Sequence, residues 1–421
     1  MSVRPRIVVT GLGIVCPLGV GKEAVADALA CGRSGIRLIE SFDTTNMPLK
    51  IGGEIQGFDP TQFVKPRKAL KVMARDAQLA MAVAGMAREH SQLGESAIDP
   101  ERFGAVFGGE IIRNAIEEVA LPFRASMENG EFHFDRWGDA GLRVCFPLNL
   151  LRLLPNMLGS HVSIAHDARA ANNTLCMAEA SGLSAMGEAM HVLERGWTDA
   201  MIVGAACSRI NVYDLLRLSV GGEPSKQTDP ARGCRPFDVD RDGEVRGEGG
   251  AALILETAAH AEARRAHVLA EVCGFGSSSE PSAPHGTAHG NSVRMAIRRA
   301  LAEARVEPRE VGVVFAHGLA TRAGDVAEAE ALHDVLPDVP VTALKSYFGN
   351  VEAGCGAVEA AIAVMTLSTG TVPPTLHCDR VDPACPIPVV RGAPLTGFAP
   401  TCVVVNYTRC GQAAAVVLRR P

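Results

Sequence analysis

The chain has 421 residues and a net charge of −6, with 47% hydrophobic and 21% charged residues; this rules out a disordered polymer and suits one large α/β domain or two packed halves. No block of lysine and arginine stands out, so nucleic acid and anionic membrane surfaces are not expected partners. No uninterrupted apolar run reaches the ~18 residues of a membrane span, and the twelve cysteines form no Cys-x-x-Cys or zinc-spaced cluster, so reduced, mostly buried thiols, no metal, no cofactor and a cytoplasmic location are expected.

The basic and then apolar start is interrupted by Gly11, Gly13, Pro17 and Gly19, so it reads as a buried first strand at 7–10 and its turn, not as a signal peptide. The pair Gly11-Leu-Gly13 lacks the third glycine of a dinucleotide loop, because Cys16 stands there, and is expected to be a strand-end turn. Short β-branched runs predict further strands at 105–107, 200–203, 252–255, 311–315, 339–343, 402–405 and 414–418. Helical spacing predicts helices over 71–88, 179–195, 292–304, 325–335 and 357–367. The second places Leu183, Met186, Met190 and Leu193 on one face, and the last is nearly all apolar. Alternating strands and helices argue for mostly parallel sheets. A charged stretch, 257–269, is expected to join two halves, 1–256 and 257–421, and the Ser/Gly/Pro-rich 274–290 to be a surface loop.

Five segments carry a pattern. The first runs His161-Val-Ser-Ile-Ala-His-Asp-Ala-Arg-Ala-Ala-Asn-Asn-Thr-Leu-Cys176-Met-Ala-Glu179 and continues to Gly187 in a small-residue helix. The others are Phe237-Asp-Val-Asp-Arg241-Asp242-Gly-Glu-Val-Arg-Gly-Glu248-Gly, Ala316-His317-Gly-Leu-Ala-Thr-Arg-Ala-Gly-Asp325-Val-Ala-Glu328, Leu344-Lys345-Ser346-Tyr-Phe-Gly-Asn350, and Asn406-Tyr-Thr-Arg409-Cys410-Gly411. In this order they resemble the β-ketoacyl carrier-protein synthases, or ketosynthases. Counting from His161 and back from Gly187 places that family's nucleophilic cysteine on Glu179. His317 and Lys345 match its first catalytic histidine and its lysine. Asn350 stands where its second histidine would be, and Arg409-Cys410-Gly411 replaces its glycine-rich acyl gate.

The resemblance implies a thiolase-like α/β fold, two similar halves in a five-layered α-β-α-β-α sandwich. In the family, a thiolate at a helix N-terminus takes an acyl group from a carrier-protein thioester. Two histidines then stabilise the enolate formed when malonyl loses CO2. A carboxylate cannot form that thioester, so no intact catalytic set is expected. Joint loss of cysteine, second histidine and gate resembles one subfamily, the chain length factors or ketosynthase β subunits. That implies a heterodimer with an active ketosynthase, service by an acyl carrier protein, and a tunnel for the growing polyketide. The regions expected at the interface and tunnel are 153–179, including Leu153, Leu154, Met157 and Leu158, and 108–134.

Glu179 has three readings: a structural carboxylate paired with His317 or Lys345, part of a cysteine-less malonyl carrier-protein decarboxylase, or a general base. Cys176 as a displaced nucleophile would need a three-residue shift that neither flank supports, and is expected to be an ordinary buried cysteine. Asp325 and Glu328 are expected to support the site from a helix start. Asp238, Arg241, Asp242 and Glu248 are expected to form a polar turn pinning the halves together, not a metal site. By the same resemblance, in which aromatic systems more commonly carry glutamine at position 179, the glutamate implies a non-aromatic product.

Overall fold

In the computed structural model, which describes residues 4–113, 115–281 and 290–421, the first strand, β1 (Ile7–Cys16), is buried along its whole length. Its glycines correct the expected turn. Gly11 and Gly13 lie inside the strand, and a β-carbon on either would collide with the carbonyl oxygens of Ala87 and Val83 on helix α1 (Arg75–Ser91). The Gly-x-Gly pair is where a helix presses onto a strand.

The remaining principal elements of the first half are β2 (Phe103–Gly108), α2 (Ile116–Ala125), α3 (Met157–His166), β3 (Asn172–Leu175), α4 (Ser181–Glu194), β4 (Ala200–Ser208), α5 (Val212–Gly221) and β5 (Glu248–Thr257). The second half has β6 (Ala270–Ser279), α6 (Asn291–Ala304), β7 (Val313–Phe315), α7 (Arg322–Val335), β8 (Val341–Thr342), α8 (Cys355–Thr369), β9 (Thr401–Tyr407) and β10 (Gln412–Arg419). Their sheet order is β8-β7-β9-β10-β6-β1-β5-β4-β2-β3. Read outward from the β1–β6 seam, the two sides have the same order and the same strand directions. The halves are structural repeats.

The repetition reaches single residues. β1 shifts register between Val9 and Gly11, and β6 does so between Val272 and Gly274. Gly274 and Gly276 meet α6 at Ala300 and Ala296 as Gly11 and Gly13 meet α1. The expected loop at 274–290 is therefore strand as far as Ser279; residues 282–289 of it lie outside the described residues. The expected parallel sheet is mixed: the two outer ladders of each half are parallel and those around the seam antiparallel. Helices cover both faces throughout, so even antiparallel strands read as continuous apolar runs.

Both faces of the strands feed separate cores. In β4, Met201, Val203 and Ala205 face the central core while Ala200, Ile202 and Ala206 face α1. In β9, Cys402 and Val404 face the centre while Val403 and Val405 face α6 and α7. This period of two puts α1 and α3 outside one half-sheet, α6 and α7 outside the other, and α4 with α8 between them. The result is the thiolase-like five-layered sandwich. Among the described residues, no helix is long and apolar enough to cross a membrane. Seven of the twelve cysteines are buried and all are free.

Candidate active site and its charged cavity

The central helices start side by side. Gly182 on α4 leaves room for the backbone of Ala357 on α8, and Gly356 packs against Leu183 in return. Glu179 sits in the single 3-10 turn Ala178–Ala180 ahead of α4, and Asn350 lies just before α8. Glu179 is 7% exposed and Asn350 1%.

Asn350 is the hub. Its Nδ2 donates to Glu244 Oε2 at 2.7 Å and to Glu179 Oε1 at 3.3 Å. Its Oδ1 accepts from the Glu352 N–H at 2.9 Å and the Cys355 thiol at 3.3 Å. Two donors and two acceptor positions are all that an amide side chain has. Glu179 is thus paired with Asn350, not with His317 or Lys345 as expected.

Three carboxylates crowd this point. Arg246 Nη1 lies 3.6 Å from Glu244 and 3.8 Å from Glu352, and Arg209 hydrogen-bonds Glu352. Burial, then repulsion from Glu352 and Glu244, pushes the Glu179 carboxyl up to about 7, against the pull of Arg246. Glu352 moves the other way: burial opposes its charge, but Arg209 and Arg246 hold it down. Of the two carboxyls, Glu179 is the more easily protonated. Glu179 also lines a cavity of about 440 Å³ with Glu110, Asp214, Arg113, Arg217 and Arg409, among others. Its charged wall is a poor host for an alkyl chain. Cys410 lines the same cavity, and Arg409 Nη1 donates to Gly221 O at 3.2 Å, tying the β9–β10 turn to the end of α5. Gly411 turns the chain there at φ 85°.

His317 and Lys345 belong to a second network. The Lys345 Nζ donates to His317 O at 2.8 Å and to Glu359 Oε1 at 2.7 Å, and Asn406 Nδ2 donates to Glu359 Oε2 at 2.6 Å. Burial opposes the charge on Lys345, but the Glu359 carboxylate bonded to it holds it protonated. Burial and the nearby Lys345 charge push His317 well below its ordinary value, so its ring is neutral. The ring lies against Tyr407, centroids 4.5 Å apart.

Glu328 accepts the N–H groups of His317 at 2.7 Å and Gly318 at 2.8 Å, and Asp325 accepts that of Phe237 at 2.8 Å. Both carboxylates fix loops and touch no cavity wall named above. Arg241 crosses between halves, bonding Asp382 at 2.7 Å and Arg322 O at 2.8 Å. Asp238 also crosses, accepting the Arg380 N–H at 2.9 Å. Asp242 and Glu248 do not: Asp242 holds Ser225 at 2.8 Å, and Glu248 holds Arg75 at 2.6 Å within the first half. Cys176 is exposed, not buried as expected, because it follows the edge strand β3.

Sequence reading missed Glu244, Arg246, Arg209, Glu352, Glu359 and Tyr407. Glu359 had a signal: it is the sole charged residue of the apolar helix α8, and a buried charge needs a partner. Among the described residues, one group has metal-ligating geometry, His191, Glu194 and Glu303. Arg4 pairs with both of its carboxylates, at 2.5 and 2.8 Å, so a cationic side chain already bridges them.

The fold and the two buried networks define a ketosynthase-type site in a thiolase-like sandwich. The β-ketoacyl synthase N-terminal domain matches residues 4–261, and the β-ketoacyl synthase C-terminal domain matches 269–379. The chain belongs to the β-ketoacyl synthase family. The 3-oxoacyl-[acyl-carrier-protein] synthase 2 of Vibrio cholerae is 34% identical over 389 residues, 90% of each chain. That of Synechocystis is 31% identical over 397 residues, 92% of each. Among solved structures, the ishigamide ketosynthase/chain length factor superposes with a TM-score of 0.86 at 27% identity over the whole of both chains. A β-ketoacyl synthase from Burkholderia phymatum gives 0.87 at 28%, over 99% of this chain and all of that one. A type II polyketide synthase ketosynthase solved with its acyl-carrier protein gives 0.82 at 26%, over all of both chains.

Proposed function

We propose that this chain is a catalytically silent ketosynthase-like subunit, a chain length factor, which pairs with an intact ketosynthase and shapes the tunnel for the growing polyketide. One observation carries the reading: a carboxylate occupies the nucleophile's place, and the amide beside it has spent both donors on carboxylates. No thioester can form at Glu179, and Asn350 has no N–H left for an enolate oxygen. The solved ketosynthase/chain length factor supports the reading by likeness. The condensing synthases among the relatives favour activity, but the family's cysteine is replaced here.

The surface agrees with a partner. Most large apolar side chains exposed among the described residues fall between residues 111 and 164, including Phe134, Leu150 and Ile164, the last 79% exposed. Helix α3, which carries Ile164, packs beside β3, and β3 ends the sheet with one edge unpaired. An open strand edge beside apolar surface is a template for another chain. Of the interface residues expected from sequence, Leu158 is buried in this chain's own core while Leu153 and Leu154 are half-buried.

Coexpression with the cognate ketosynthase tests the proposal. The two should purify as one complex that condenses acyl and malonyl carrier-protein substrates, while this chain alone does neither condensation nor decarboxylation. A stable homodimer that condenses by itself would sink it. A second reading, the decarboxylase, draws on the Glu179 carboxyl being pushed up to about 7, since a neutral acid does not repel a developing enolate. Mass spectrometry of malonyl carrier protein incubated with the isolated chain separates the two; conversion to acetyl carrier protein favours the decarboxylase.

A further inference from the structure

The segment between β2 and α3 carries a feature with no part in the site described above. Met127–Glu128 and Glu131–Phe132 form a two-pair hairpin closed by Asn129 and Gly130. Both loop residues have positive φ, 51° and 86°, as a type I′ turn requires. Both are exposed, and this is the sole Asn-Gly pair in the sequence. Glycine has no side chain to shield its amide nitrogen from the neighbouring asparagine.

We propose that Asn129 is a self-modification site, where the side-chain amide is lost to give aspartate and isoaspartate. The Gly130 backbone nitrogen attacks Asn129 Cγ. The N–Cγ bond forms, the Cγ–Nδ2 bond breaks, and ammonia leaves with the proton that Gly130 gives up. Water then opens the cyclic imide at either carbonyl, giving aspartate or isoaspartate without any redox change. The turn must open for the attack, and a ribbon of two pairs is too short to resist opening.

The product differs in ways that matter locally. Isoaspartate adds a methylene to the backbone, which the two-residue turn cannot hold in register. It also adds a negative charge between Glu128 and Glu131. Phe132, one residue beyond, is packed with Phe123 and Trp137 at centroid distances of 5.2 and 6.0 Å. The conversion therefore loosens the aromatic centre of the exposed apolar lobe. Its effect on pairing rests on the partner-contact reading, but the conversion itself does not.

The test uses the isolated full-length chain, held at mildly alkaline pH and sampled over days by peptide mapping. The peptide containing Asn129 should gain the mass of amide-to-acid conversion and split into two chromatographic forms before any other asparagine reacts. Asn129→Gly, which suits the same turn, should abolish the conversion and keep the wild-type melting temperature; Gly130→Ala should slow it severalfold. An Asn129 peptide that stays unchanged while other asparagines convert overturns the proposal. So does unchanged acid formation in the Gly130→Ala chain. Neither outcome depends on whether a ketosynthase binds.

Discussion

Glu179 and Asn350 form a closed, buried pair, which in the function proposed above stands where a reactive pair would be. Burial and Glu352 push the Glu179 carboxyl up to about 7, above the ~4.3 of an exposed glutamate. The folded chain binds this proton more tightly than the unfolded one. The stability it contributes is therefore complete below about pH 4 and lost as pH rises through about 7. Glu179→Gln removes the titration, so its stability profile should be flatter in that window. Relative to their difference below pH 4, the variant should gain roughly 3–4 kcal/mol on the wild type above that window. Denaturant unfolding across pH measures this, and parallel profiles would count against it. Asn350→Ala should act in the opposite sense. It leaves Glu179 and Glu244 buried without their donor, at a cost of about 2–4 kcal/mol read from the same unfolding curves. Glu179→Cys alone should not restore condensation in the complex, because Asn350 and the Arg409–Cys410 turn remain. Recovery of full activity by that single change would refute the account of a joint loss.

At the scale of elements, glycine sets how closely helices and strands approach. Gly13 and Gly276 hold equivalent places under α1 and α6, so alanine at either should cost about 1–3 kcal/mol or more by overpacking. Thermal melting should show similar losses for the two, since the halves repeat the contact. Lys345→Met tests the buried pair that joins α8 to the loop of His317. It strands Glu359 with only Asn406 and should destabilise by about 3–5 kcal/mol. Lys345→Met combined with Glu359→Leu should regain most of that loss. Most strands of the large sheet that are buried on both faces were legible. β3 was missed because its sequence, Asn-Asn-Thr-Leu, is polar on an open edge, and β6 because its glycines resemble a loop.

For the whole molecule, the unpaired edge at β3 and the apolar lobe beside it are the surfaces to disrupt. Ile164→Asp should abolish copurification with the ketosynthase and leave the isolated chain's melting temperature within a few degrees of wild type, because the side chain is 79% exposed. Loss of folding instead would place Ile164 in the chain's own core. The sequence by itself determined the family pattern and most buried strands, because motif order and apolar runs are local properties of the chain. The mixed sheet, the residue-level repeat of the halves and the partner of Glu179 were decided by tertiary structure. Glu179 and Asn350 are 171 positions apart; only the packing of α4 against α8 brings them into contact and makes that carboxylate part of a closed polar core.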